Sequence, residues 1–218
     1  MEGKVFETKK LAEEYVGGLS KPSKMPCPSY NLQPFVSCPM GRKLAHVRGS
    51  VCSECYGQKH QYVAYAYLMH PAWARRMTAT RKKHFVAAMV RLLKDKPFFR
   101  WHDTGDVYSN TYMKRILSIA EGCPDTLFWL PTREYAKVTA YRRHVPENLR
   151  IRVSLPTINP PQSVIDHYVA KYGYVSTVVE QGATCRLVHV KDARGSHSSC
   201  GDCRDCWNDL PVIAYELH

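Results

Sequence analysis

The chain has 218 residues, 44% of them hydrophobic and 23% charged, and carries a formal net charge of +12. That length suits one domain with a substantial core. No apolar run approaches the length of a membrane span, and the opening Met1-Glu-Gly-Lys-Val-Phe-Glu holds no signal-peptide core. The expectation is a single cytoplasmic domain without membrane contact, its nine cysteines reduced or metal-bound. An odd cysteine count weighs against a fully paired disulfide framework. The oligomeric state is left open.

Residues 1–24 read as a polar lead-in with a short helix over 9–15, stopped by Gly17-Gly18. Residues 24–32 follow, with Pro26, Cys27 and Pro28 making the stretch too proline-rich for a helix or a central strand. Cys38, Cys52 and Cys55 come next, in a C-x13-C-x2-C spacing with glycine and proline close by, which suits backbone folded tightly around a metal. Three thiolates can hold a [4Fe-4S] cluster by three irons and leave the fourth open. A fourth thiolate from Cys27 would close it.

A helical pattern over 72–95 puts Trp73, Met77, Phe85, Ala88, Met89 and Leu92 on one face. Arg75, Arg76, Lys82 and Lys83 fall on the other. Residues 70–100 hold nine Lys/Arg against the single acid Asp95, and 133–152 hold six against Glu134 and Glu147. So concentrated a positive field favours an anionic partner, whether nucleic acid, nucleotide or an acidic protein; the alternative is a solvated face with no partner.

From Pro97 the pattern alternates short apolar runs with helical segments. Strands are expected at 98–102, 127–130, 149–155 and 174–179. Helices follow at 109–121, capped by Ser109 and stopped by Gly122, at 135–143 and up to 171, and a last strand spans 212–217. Such alternation predicts parallel strands with right-handed crossovers: an α/β fold, either a partial (β/α) barrel or an open parallel sheet. The single domain divides into a cysteine-rich segment over 1–60, a βα core over 72–180 and a second cysteine-rich segment over 181–218.

Chemistry in such folds sits at the C-terminal strand ends. There the sequence places His102-Asp103-Thr104-Gly105-Asp106, then Thr132-Arg133-Glu134, then Ser154. The two aspartates and the imidazole can act as acid and base or bind an amino group, a ribose or a metal; a turn and helix cap uses the same residues. His102, Asp103 and Asp106 are therefore the catalytic candidates. Thr104, Gly105, Asp106, Thr132 and Ser154 are candidates for holding a cofactor.

Near the C-terminus, Cys200-Gly-Asp-Cys203-Arg-Asp-Cys206 repeats cysteine every third residue. The spacing is that of iron–sulfur ligation, with a fourth thiolate from elsewhere, and Cys185 is the nearest candidate. Zinc held by the same sulfurs is the alternative metal, and free or disulfide-bonded cysteines the third possibility. Cys123, at a helix end, is read as a packing residue.

The motifs Lys24-Met-Pro-Cys-Pro-Ser-Tyr, Gly49-Ser-Val-Cys-Ser-Glu-Cys-Tyr, Arg100-Trp-His-Asp-Thr-Gly-Asp and the terminal cysteine run resemble the bacteriophage "gene product 88" domain family from about residue 25 to about residue 207. That family looks related to radical S-adenosylmethionine proteins, which use a partial (β/α) barrel and three N-terminal cysteines to hold a [4Fe-4S] cluster. The resemblance implies one or two clusters, S-adenosylmethionine as a further cofactor, and the cytoplasm of an infected bacterium. It sets Thr104-Gly105-Asp106 where such enzymes hold the methionine amino group. The cysteine loop departs from the pattern: C-x3-C-x2-C is stretched to C-x13-C-x2-C, and an aromatic residue follows the last cysteine instead of preceding it. Two functions follow as expectations. One is a cluster-dependent enzyme modifying an anionic substrate such as nucleic acid. The other is a non-catalytic, metal-stabilised phage protein binding nucleic acid or a host protein through its basic face.

Overall fold

The computed structural model describes residues 6–192 and 195–217. Helix α1 (Lys9–Val16) is capped by the Thr8 hydroxyl, which accepts from the Leu11 N–H, and ends at Gly17 in the left-handed conformation. Strand β1 (Ser29–Tyr30) is two residues long and pairs parallel to β2 (Phe98–Trp101). The proline-rich stretch, expected to be neither helix nor central strand, thus contributes a two-residue edge strand, the place where a flanking proline is tolerated.

Between β1 and β2 lie α2 (Pro39–Leu44), a 3-10 turn (Tyr56–Gln58), α3 (His60–Ala64), α4 (Ala66–Ala79) and α5 (Phe85–Leu93). The single helix expected over 72–95 is two helices, broken across Thr80–His84. The Thr80 hydroxyl turns back to donate to the Met77 carbonyl, and the chain bends there.

The rest alternates as expected: α6 (Asn110–Glu121), β3 (Leu127–Thr132), α7 (Tyr135–Tyr141), β4 (Leu149–Ile158), α8 (Gln162–Tyr172) and β5 (Val175–Val179). A hairpin of β6 (Val188–Asp192) and β7 (Gly195–Ser199), unforeseen in its polar sequence, precedes β8 (Val212–Glu216). The main sheet has six parallel strands in the order β1-β2-β3-β4-β5-β8, which follows the chain.

Alternation along each strand sends the two faces to different partners. Phe99, Trp101, Phe128, Leu130, Leu149, Ile151 and Val153 enter one core with the apolar faces of α1, α5 and α6. On the opposite face Trp129 and Ile213, flanked by Phe98 and Tyr215, meet Cys27, Cys206 and Trp207. The C-terminal cysteine loop therefore lines the face that the helices leave bare. Among the described residues no helix is long and apolar enough to cross a membrane.

Candidate functional site

The segment between β1 and α3 folds back over the C-terminal edge of the sheet. The Leu32 N–H donates to the Thr104 carbonyl at 3.0 Å, and the Thr104 hydroxyl donates to the Leu32 carbonyl at 3.0 Å. Farther on, the Val51 N–H donates to the Pro156 carbonyl at 2.8 Å and the Ile158 N–H to the Gly49 carbonyl at 3.1 Å, pinning the loop to the end of β4. Glu134, after β3, accepts from the Met40 N–H at 2.7 Å and from Lys137 at 2.6 Å, which fixes the start of α2.

Those three anchors bring Cys38, Cys52 and Cys55 together. Gly41 lies against them: a Cβ there would stand 3.6 Å from the Cys52 sulfur, 3.9 Å from the Cys38 sulfur and only 2.9 Å from the Cys38 Cβ. Cys55 is the electrostatic neighbour of both, and its sulfur receives the backbone N–H groups of Gly57 and Gln58. Gly57 packs on the end of β2; a Cβ there would touch the Thr104 methyl at 3.1 Å. Burial is the main force raising all three thiols above their ordinary pKa, with Asp106 adding to it at Cys38. Arg133 works in the opposite direction at Cys52 and Cys55. Thiols so raised are poor nucleophiles by themselves. A bound cation reverses that tendency, because a coordinated thiol is deprotonated outright.

The second group forms on the sheet face opposite the helical core. Cys206 reaches the Tyr215 hydroxyl at 3.2 Å, the Cys203 N–H donates to the Cys200 carbonyl at 2.9 Å, and Cys185 faces Cys206, Cys200 and Cys203. Cys27 stands with this group, not with Cys38, Cys52 and Cys55: it packs with Cys206 and Trp207, and its charged or thiol neighbours are Arg100, Asp103, Cys200 and Cys206. All nine cysteines are free. Among the described residues no group of three or more His, Cys, Asp or Glu side chains is set to hold a metal ion.

The strand-end residues sort into distinct places. Asp106 is 6% exposed, and its carboxylate takes the Thr132 hydroxyl at 2.5 Å and the N–H groups of Arg133 at 2.9 Å and Val107 at 2.7 Å. Burial raises its pKa to about 6 against those three hydrogen bonds. It joins the end of β2 to the end of β3 beside Cys38. Asp103 faces the other way. It accepts from Ser29 and Asn31 at 2.9 Å each and pairs with Arg100 at 2.7 Å. Tyr56, next to Cys55, donates to the Asp103 carbonyl. Ser154 hydrogen-bonds Ser176 at 3.0 Å across β4 and β5, away from both carboxylates.

His102 does not join the rim. Its backbone has φ of 54°, and its ring is 2% exposed, with Nε2 3.1 Å from the Tyr112 hydroxyl of α6. Burial first, and Arg100 second, depress its pKa to about 3. The folded state therefore binds this proton less readily than the unfolded chain, where an imidazole titrates near 6.5. Stability is full above pH 6.5 and is lost as pH falls toward 3. Between pH 7 and 5 the wild type should lose about 2 kcal/mol more than His102→Asn, whose side chain tolerates the left-handed backbone. Urea unfolding at both pH values measures this, and equal losses in the two proteins would contradict it.

The expected basic ridge is only partly a surface. Arg76 is 8% exposed, donates from Nε to the Gly18 carbonyl at 2.8 Å and stacks 5.9 Å above Tyr30, so it belongs to the interior and not to the ridge. Lys82 is tied to the Tyr15 carbonyl at 3.0 Å. Arg75 and Lys83 are exposed.

Three residues passed over in the sequence complete the setting. Arg100 stands beside Cys27, Cys200 and Cys206, 4.6 Å over Trp129, and Arg152 and Tyr215 flank Cys206. Arginine alternating with apolar residues, Arg150-Ile-Arg152, reads as a solvated strand face until the C-terminal loop is seen to cover it.

No curated protein and no solved structure matches the chain. A family model described as Gene product 88 matches residues 4–209, which takes in both cysteine groups and every strand but the last. The chain therefore belongs to the phage gene product 88 family.

Proposed function

We propose that this chain is an iron–sulfur protein of radical S-adenosylmethionine type, in which Cys38, Cys52 and Cys55 hold a [4Fe-4S] cluster by three irons and leave the fourth open. The observation that carries this reading is where the trio lies. It follows β1, it covers the C-terminal ends of β2, β3 and β4, and Cys27, the thiol nearest to it upstream in sequence, belongs to another group. A parallel sheet in chain order is also the order of a (β/α) barrel wall.

In its chemistry, though not in its present spacing, the donor set suits an iron–sulfur cluster. It is all sulfur and half-buried to buried, and backbone N–H groups aimed at the Cys55 sulfur stabilise thiolates and tune a cluster's potential. Gly41 leaves space beside two of the sulfurs that a methyl group would fill. When bound, a cluster with an open iron supplies a chelation point for the amino and carboxylate groups of S-adenosylmethionine and an electron.

The chain's own residues then have defined work. Arg133 offsets the negative charge gathered at Cys52 and Cys55. Thr104 and Gly57 hold the Cys55 turn against the end of β2. Asp106, its carboxylate already engaged by three donors, acts as a positioning residue that locks two strand ends beneath the cluster. The exposed cations, Arg75 and Lys83 among them, suit an anionic substrate such as nucleic acid. Cys200, Cys203 and Cys206, with Cys185 or Cys27 as the fourth thiolate, hold a second centre on the sheet face opposite the helical core.

Anaerobic purification with iron, acid-labile sulfide and zinc analysis tests this. About four irons and four sulfides per cluster are expected, and Cys52→Ser should lose one cluster's worth of each. Stoichiometric zinc without labile sulfide would favour the non-catalytic, metal-stabilised protein instead. Full iron retention in Cys52→Ser would remove the trio from the site.

A further inference from the structure

We propose that Cys27 takes the fourth ligand position of the C-terminal sulfur centre, beside Cys200, Cys203 and Cys206 and in place of Cys185, so that one metal site ties the entry to the first strand to the last loop of the chain. The inference rests on the iron–sulfur reading above and assigns that reading's second centre a thiolate from the far end of the sequence.

The placement is direct. Cys27 is 6% exposed and Cys206 8% exposed, and they share a buried cluster with Trp129, Trp207 and Ile213. The Cys200 N–H donates to the Lys24 carbonyl at 2.8 Å, which draws the cysteine run onto the segment that carries Cys27. Cys27 is accordingly an electrostatic neighbour of Cys200 and Cys206, although 173 and 179 positions separate them in the chain.

Charge gives a second, independent reason. Arg152 is fully buried, and its guanidinium donates only to backbone carbonyls: Cys206 at 3.2 Å, Asp205 at 3.0 Å, Asn208 at 2.9 Å, Leu210 at 2.7 Å and Val175 at 3.5 Å. Among the described residues no carboxylate pairs with it. Arg100, on the same face, has the single carboxylate Asp103. A buried cation needs a nearby anion, because carbonyl dipoles satisfy its hydrogen bonds but not its charge. Neutral thiols supply none. Four thiolates around a doubly charged cluster core leave a net negative charge, and this pocket is where it would be balanced.

The test uses the full chain with Cys38, Cys52 and Cys55 replaced by Ala, which leaves the C-terminal centre alone. Reconstituted anaerobically, it should bind about four irons with matching sulfide. Adding Cys27→Ala should lower bound iron severalfold. Adding Cys27→Ser instead should keep part of the iron with a shifted electron paramagnetic resonance signal, since an oxygen ligand replaces sulfur; a residue that merely packs would leave the signal where it was. Full iron and an unchanged spectrum in both variants overturns the proposal, as does a three-alanine chain that binds no iron while the wild type does. No iron in the wild type would instead defeat the iron–sulfur reading itself.

Discussion

Replacing Arg152 by Met is expected to cost about 3–5 kcal/mol of folding stability, among the largest effects available to a single substitution in this chain. Arg152 is 0% exposed, and the five carbonyls it meets belong to Val175, Asp205, Cys206, Asn208 and Leu210. Four of those carbonyls lie in the loop that carries the last cysteine. Met keeps roughly the side-chain volume but donates nothing, and each acceptor left buried without a partner costs about 1–3 kcal/mol. A protein of this size loses roughly 2–4 °C in Tm per kcal/mol, so a fall of about 10 °C should be visible in thermal unfolding. Arg152→Lys separates charge from geometry. An ammonium keeps the charge, but its three donors sit on one point and cannot span the loop as a planar fork does. It should recover part of the loss. A Met variant within about 1 kcal/mol of wild type would show that the loop holds itself without the guanidinium.

Gly105→Ala should be nearly as severe, for reasons that a second glycine isolates. Gly105 has φ of +89°, and a Cβ there would lie 2.7 Å from the Leu32 Cβ, 2.7 Å from the Ser37 hydroxyl and 2.8 Å from the Leu32 carbonyl oxygen. Two of those atoms are backbone or backbone-fixed, so the segment over 32–37 must move. Strain and overpacking together should cost about 3–5 kcal/mol. Gly18 has nearly the same φ, +86°, with nothing within 4 Å of its Cβ position. Gly18→Ala therefore carries the strain alone, about 1–2 kcal/mol. The difference between the two variants, measured by urea unfolding, is the clash. Because 32–37 leads into Cys38, Gly105→Ala should also lower iron content, and Gly18→Ala should not. Equal destabilisation by the two would mean that the close approach at Gly105 relaxes freely.

The strand–helix core was readable because its signals are local. Apolar runs of four to seven residues, Ser109 as a cap and Gly122 as a stop need no tertiary information, and the elements fall within a few residues of expectation. Strand β1 was hidden because its pairing with β2 is made 71 residues away and its own sequence is proline-flanked. The Arg76 side chain was misplaced for a similar reason. Helical period sets it beside Arg75 on a polar face, but Tyr30 supplies a ring for the guanidinium and Gly18 a carbonyl, so the long side chain turns inward. His102 sits in a motif of rim residues, yet its left-handed backbone swings the ring toward α6.

The two cysteine groups could be seen as spacings, but the place of Cys27 between them could not be read. Sequence distance left open whether Cys27 joins Cys38, Cys52 and Cys55, since the eleven positions from Cys27 to Cys38 permit either arrangement. The fold puts β1 between them: Cys27 precedes the strand at its N-terminal end, and the trio follows at its C-terminal end. One short strand thus divides the cysteines between the sheet face opposite the helical core and the C-terminal strand ends.

The most direct measurement of the proposed open cluster is the electron paramagnetic resonance spectrum of the anaerobically reduced protein, with and without S-adenosylmethionine. Three thiolates on a four-iron cluster leave one iron to take the added ligand, so the signal assigned to Cys38, Cys52 and Cys55 should shift on addition and be absent from Cys52→Ser. A spectrum that S-adenosylmethionine leaves unchanged, in a protein that holds iron and loses part of it in Cys52→Ser, would contradict the open site and make the trio a structural centre.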